Sequence, residues 1–100
     1  GFDTFCPVGP WITTGLDPRD LEVRCLVSGQ ERQRGRTGQM IFDVPTIVAF
    51  LSTVMTLLPG DLIATGTPEG VGPLTDGDSV TVTVEGVGEL TSPVVRRAAR

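Results

Sequence analysis

Residues 61–73, Asp-Leu-Ile-Ala-Thr-Gly-Thr-Pro-Glu-Gly-Val-Gly-Pro, concentrate the groups in this chain best suited to chemistry. A short apolar run, Leu62-Ile63-Ala64, reads as a buried strand that delivers the loop Thr65-Gly66-Thr67-Pro68. That loop offers two hydroxyls and free backbone N–H groups, a set of neutral donors able to hold a carboxylate or enolate oxygen without any lysine. Gly66 lets the backbone come close to a ligand, and Pro68 pre-sets the turn. The same residues also suit a plain structural turn, and composition alone favours that turn, because Gly, Thr and Pro are ordinary turn residues.

The absences narrow the chemistry further. The chain has no His, Lys or Tyr, so proton transfer near neutral pH falls to a carboxylate with a raised pKa or to residues outside these 100. Cys6 and Cys25 lack metal-ligand spacing and have no histidine to join them; they read as reduced, packed thiols of a cytoplasmic protein. A net charge of −4 and a pI near 4.5 disfavour nucleic-acid binding, and Arg32, Arg34 and Arg36 read as a solvated face. No apolar run reaches the roughly 18 residues of a membrane span, and no basic segment followed by an apolar one marks a signal peptide. The chain begins at Gly1, without methionine, inside what reads as a structured segment; the expectation is a fragment.

Stepping along the chain, Pro7, Gly9, Pro10, Gly15 and Pro18 make the first twenty residues extended or looped, with Trp11-Ile12-Thr13-Thr14 as a short strand. Residues 21–28 alternate apolar and polar until Cys25, placing Leu21, Val23 and Cys25 on one face, and Ser28-Gly29 turns the chain into a polar return strand over about 30–34. The main helix is expected over about 44–58. Asp43 is its N-cap, Pro45 lies in the first turn, and Ile47, Val48, Leu51, Val54, Met55 and Leu58 form an apolar stripe that should face a core, with Phe50 and Met55 as filler. Pro59-Gly60 is the expected stop. Asp76-Gly77-Asp78 then turns into Val80-Thr81-Val82-Thr83-Val84, and Gly86-Val87-Gly88 reverses the chain into a last strand near 89–95. Strands, one helix, then strands predict an α+β fold with a mainly antiparallel sheet. Gly70-Val71-Gly72 is no dinucleotide fingerprint, because Pro73 follows and no helix begins there.

Five segments in order, Gly1-Phe2-Asp3-Thr4-Phe5-Cys6-Pro7-Val8-Gly9-Pro10-Trp11, Thr37-Gly38-Gln39-Met40-Ile41-Phe42, Leu57-Leu58-Pro59-Gly60-Asp61, Thr65 to Pro73 and Gly77-Asp78, resemble the C-terminal half of the fumarylacetoacetate hydrolase family. The resemblance implies that residues 1–100 are the C-terminal portion of a single catalytic domain, a mixed β-roll that is usually a homodimer. It implies enzymes that cleave, decarboxylate or isomerise small oxo or enol diacids such as acylpyruvates, oxaloacetate or 2-hydroxyhepta-2,4-diene-1,7-dioate, using Mg²⁺ or Mn²⁺. The family's metal ligands, a Glu-x-Glu pair and a later Asp, lie upstream of the Phe-Asp-Thr-Phe motif, and so does its active-site lysine; none matches a position in this chain. In the mechanism the resemblance implies, the cation acts as a Lewis acid on adjacent substrate oxygens. Thr67 would contact the substrate carboxylate beside it, with Gly66 giving access and Thr65 supporting the loop. Asp3 reads as structural. Two departures, Ser28 where the family often has Asn and Ser92 where it has Asn near the end, bear on turn geometry more than on chemistry. A noncatalytic folding or dimerisation module is the competing reading.

Overall fold

The alternation along residues 22–27 and 79–84 produces two strands with one apolar and one polar side each, and these form the centre of a four-stranded antiparallel sheet. The computed structural model describes residues 6–96. Its strands are β1 (Glu22–Val27), β2 (Gln30–Arg36), β3 (Ser79–Val84) and β4 (Gly88–Pro93), in the spatial order β2-β1-β3-β4, with α1 (Val44–Val54) between β2 and β3. The architecture is α+β, as expected. Asp3 and the first five residues of the Gly1-Phe2-Asp3-Thr4-Phe5 motif lie outside the described residues.

The β1–β2 hairpin turns at Ser28 and Gly29, whose φ values of 49° and 82° are the two consecutive left-handed residues of a tight hairpin turn. Pairing sets Val23 opposite Gly35 and Val84, and Cys25 opposite Gln33 and Val82. These residues, with Val27, Val80 and Leu90, share one side of the sheet, which we call the inner face. The outer face carries ion pairs, Arg24 Nε to Glu31 Oε1 at 2.7 Å and Arg34 Nε to the same oxygen at 2.9 Å, and a Thr81–Thr91 hydroxyl pair at 2.9 Å. The three arginines therefore divide: Arg34 and Arg36 belong to this ion-paired side, as a solvated face should, whereas Arg32 does not. Between Cys25 and Leu26 the register with β2 shifts from Gln33 to Glu31, so Arg32 is an extra residue, a β-bulge.

Five expectations are corrected. Trp11 to Thr14 form no strand among the described residues; Trp11 instead donates its indole N–H to the Val87 carbonyl at 2.6 Å, and its ring fills the space a Cβ at Gly88 would need. The helix ends at Val54 rather than near 58. Ser52 and Thr53 turn their hydroxyls back onto the carbonyls of Ala49 and Phe50, Met55 is extended, and Asp61 captures the Leu58 N–H at 2.8 Å, which forms a separate turn over 58–61. Leu62-Ile63-Ala64 is not a buried strand: Leu62 is 71% exposed, and no backbone hydrogen bond joins 62–73 to the sheet among the described residues. The loop that follows it meets the inner face of β2 through Thr67 and Pro68. The apolar stripe of α1 meets no core here. Ile47 and Leu51 are half-buried, Phe50 and Met55 are exposed, and Val27 is the fully buried hydrophobic residue among those described. Both cysteines are free, Cys25 half-buried and Cys6 exposed rather than packed.

Candidate substrate-binding wall

The inner face opposite Gly35 is where the Thr65–Pro68 loop lands. Gly35 has no side chain, and Pro68 sits over it so closely that an added Cβ would lie 3.2 Å from Pro68 Cβ. A second segment arrives from the other side. Thr37–Gln39 forms a single 3-10 turn, held to the start of β1 because Thr37 donates its N–H to the Leu21 carbonyl while its hydroxyl accepts the Leu21 N–H at 2.7 Å. The Gln39 side chain accepts the Arg36 N–H at 2.9 Å, which closes that turn and sends Met40, Ile41 and Phe42 outward. Between the two segments lies an open cavity of about 670 Å³ with Val23, Val84 and Ile47 behind and Thr65, Gly66 and Thr67 along one wall. That size lies within the range of small-molecule sites.

The three residues expected to bind substrate are thus brought together on one wall, and all three are exposed. Gly66 has φ +98° with nothing within 4 Å of where a Cβ would stand, so its backbone is both in a conformation that favours glycine and open to approach. Leu62 and Ile63, expected to anchor the loop by burial, do little of that. The loop is tied down by β2. Gln33 Nε2 lies 2.7 Å from Thr67 Oγ1 and 2.7 Å from the Pro68 carbonyl. Arg32 Nη1 donates to the Pro73 carbonyl at 2.6 Å, and Gly70, at φ +107°, packs against the Arg32 carbonyl.

Arg36 borders the cavity at the end of β2, while the register and its ion pairs keep its guanidinium with the outer, ion-paired side. Its Nε donates to Asp20 Oδ1 at 2.8 Å and its Nη2 lies 3.7 Å from Glu85 Oε2, and the Asp20 hydrogen bond holds the guanidinium pKa above its ordinary value. Its charge is therefore largely answered by two carboxylates, which leaves neutral donors on the threonine wall as the groups free to meet an anion. No group of three or more His, Cys, Asp or Glu side chains stands together among the described residues, so they do not make a metal site by themselves. In the sequence Gln33 and Arg32 read only as members of a polar return strand. The signal available was the uncharged Gln33 within the run Glu31-Arg32-Gln33-Arg34, but the bulge that re-aims its neighbour has no mark in the residue types.

An α+β unit with an open small-molecule cavity walled by hydroxyls fits enzymes that handle small acids. The model of the fumarylacetoacetate (FAA) hydrolase C-terminal family matches residues 1–95, and the chain belongs to that family. It is 63% identical to 2-hydroxyhepta-2,4-diene-1,7-dioate isomerase from Mycobacterium marinum, whose crystal structure superposes with a TM-score of 0.94 over 99% of this chain and 39% of that one. Maleylpyruvate hydrolase from Sphingobium sp. SYK-6, solved in complex with manganese(II) and pyruvate, is 50% identical, with a TM-score of 0.89 over 94% of this chain and 37% of that one. The 4-hydroxyphenylacetate degradation bifunctional isomerase/decarboxylase of Salmonella dublin is 44% identical over 93% of this chain and 22% of its own length. Against five further curated relatives the chain spans 38–43% of their length.

Proposed function

We propose that this chain forms the carboxylate-binding wall of an enzyme acting on small oxo or enol diacids by hydrolysis, decarboxylation or isomerisation. The observation that carries this reading is the exposed Thr65-Gly66-Thr67 wall on a cavity of about 670 Å³ whose bordering Arg36 is already paired. Relatives named for each of the three reactions are 44–63% identical to it over 87–99% of this chain, among them an oxaloacetate decarboxylase of Dictyostelium discoideum at 46%. They agree on the class of substrate and differ in the reaction, so the assignment here stops at the class.

What this chain's own residues contribute is binding and orientation. The Thr67 hydroxyl donates to a substrate carboxylate oxygen, Gly66 lets that oxygen approach the backbone, and the valines of the inner face exclude water behind the carbon skeleton. A divalent cation, Mg²⁺ or Mn²⁺, would supply Lewis-acid chemistry in the complete enzyme; the manganese and pyruvate in the maleylpyruvate hydrolase relative support this. By the family resemblance, its ligands are proposed to be carboxylates upstream of this chain. A cytoplasmic homodimer completes the proposal.

The test is Thr67→Val in a full-length enzyme carrying this segment. Valine keeps the shape and removes the hydroxyl. Loss of a hydrogen bond to a charged acceptor costs about 1–3 kcal/mol, so kcat/KM on an oxaloacetate and acylpyruvate panel should fall roughly 5- to 150-fold. The melting temperature and metal affinity should stay near those of the parent. Unchanged kinetics on every substrate the parent turns over would remove Thr67 from the site and favour a noncatalytic folding or dimerisation module.

A further inference from the structure

Gln33 makes two hydrogen bonds that together fix a proton. Its amide nitrogen stands 2.7 Å from the Pro68 carbonyl, which can only accept, so the nitrogen and not the oxygen of the amide must face the loop. Its other N–H then meets Thr67 Oγ1, also at 2.7 Å, and the threonine oxygen is an acceptor in that bond. A hydroxyl that accepts from Gln33 cannot also donate to it. Its single proton is left to point elsewhere, and Thr67 is exposed on the cavity wall.

We infer that Gln33 is a positioning residue that sets the polarity of the Thr67 hydroxyl, turning its proton toward the cavity so that it is a ready donor to an acceptor-only carboxylate oxygen. The inference rests on the reading of Thr67 as the carboxylate contact. Gln33 itself does not touch substrate. It is half-buried beneath the loop, on the inner face opposite Cys25, directly after the bulged Arg32. A strand normally points consecutive side chains to opposite sides. The bulge relaxes that rule and lets Arg32 and Gln33 hold the same loop at its two ends, Pro73 and Thr67-Pro68.

The experiment uses the full-length enzyme with Gln33→Glu, Gln33→Met, Thr67→Val and the two double variants. It reads the inhibition constant of pyruvate, kcat/KM and the melting temperature. Gln33→Glu is close in shape, but its ionised carboxylate can only accept, so the Thr67 proton turns back toward it and away from the cavity. Pyruvate binding and kcat/KM should weaken about 5- to 50-fold at pH 7.5. The loss of pyruvate binding should shrink as pH falls toward about 4.5, where the introduced carboxyl takes up a proton and can donate again. Gln33→Met should show a loss without that recovery. In the Thr67→Val background each change should weaken pyruvate binding by less than it does in the parent, because the proton being steered is gone and only the lost anchor at Pro68 remains. Overturning results are Gln33 variants that bind pyruvate within about twofold of the parent, or losses that simply add to that of Thr67→Val. A fall in melting temperature with pyruvate affinity kept in the folded protein also overturns it, since that is a structural role alone. If Thr67→Val by itself changes nothing, the reading of the carboxylate wall fails. If Thr67→Val weakens binding and both Gln33 variants do not, that reading stands and the role of Gln33 fails.

Discussion

Gly70→Ala should detach the substrate wall without unfolding the protein. Gly70 has φ +107°, and a Cβ built there would run into the Arg32 carbonyl oxygen while standing 3.2 Å from both the Arg32 carbonyl carbon and Gln33 Cγ. Holding alanine at such a φ costs about 1–3 kcal/mol, and the steric overlap adds about 1–3 kcal/mol because the opposing atoms are backbone of a paired strand. Against this stand three side-chain bonds that pin the loop, two from Gln33 and one from Arg32. At a net 0.5–1.5 kcal/mol each they contribute about 1.5–4.5 kcal/mol. The strain is as large as the attachment, while β2 keeps its ladder with β1, so the loop should lift away locally. In a full-length enzyme, kcat/KM should fall at least about tenfold, limited proteolysis should cut within 65–73, and the melting temperature should drop by only a few degrees. Gly60→Ala is the control: φ is +91° there too, but nothing lies within 4 Å, so it carries the conformational cost alone and should leave kinetics alone. Kinetics for Gly70→Ala within about twofold of the parent, or a cleavage pattern identical to it, would refute the idea that β2 holds the wall.

Acid should weaken the fold through Asp43 and Asp78. The hydrogen bonds from Thr46 hold the Asp43 carboxyl below its ordinary pKa, and those from the Thr75 N–H, the Thr75 hydroxyl and the Ser28 hydroxyl do the same for Asp78. A depressed folded-state pKa means stability that is fully present above about pH 4 and lost as pH falls through the lowered values. Asparagine caps a helix nearly as well without titrating, so melting curves of Asp43→Asn/Asp78→Asn below pH 4 should slope less than the parent's; equal slopes would contradict the assignment. Calorimetry of Mg²⁺ or Mn²⁺ with residues 1–100 alone should show only weak binding, because hard cations need several convergent oxygens; a specific micromolar site would place the metal centre within this chain.

How much of this was legible in the residues differs from element to element. The hairpin, β3, the helix start at Asp43 and the α+β class follow from local signals: a two-residue turn, strict alternation, and a cap with proline behind it. The far end of the helix was not, because the back-bonding of Ser52 and Thr53 and the Asp61 turn compete with an apolar spacing that continues to Leu58. Leu62-Ile63-Ala64 has the composition of a strand, yet a strand exists only where a partner edge is offered, and among the described residues this segment pairs with none. Thr65, Gly66 and Thr67 stand out by residue type alone, and the structure places them on the cavity lining. Their anchors do not stand out, since Arg32 and Gln33 act through a bulge that only the pairing register shows.

That bulge also makes the wall depend on the register of the hairpin. The β1–β2 hairpin is local, closing across two residues at Ser28 and Gly29, whereas the bond from Gln33 to Thr67 joins positions 34 apart. If β2 pairs one residue out of step, Gln33 turns to the charged side and the loop has nothing to grip. The wall as described therefore requires the hairpin in its final register, and a chain paired out of step there would lack the Gln33 anchor of the loop.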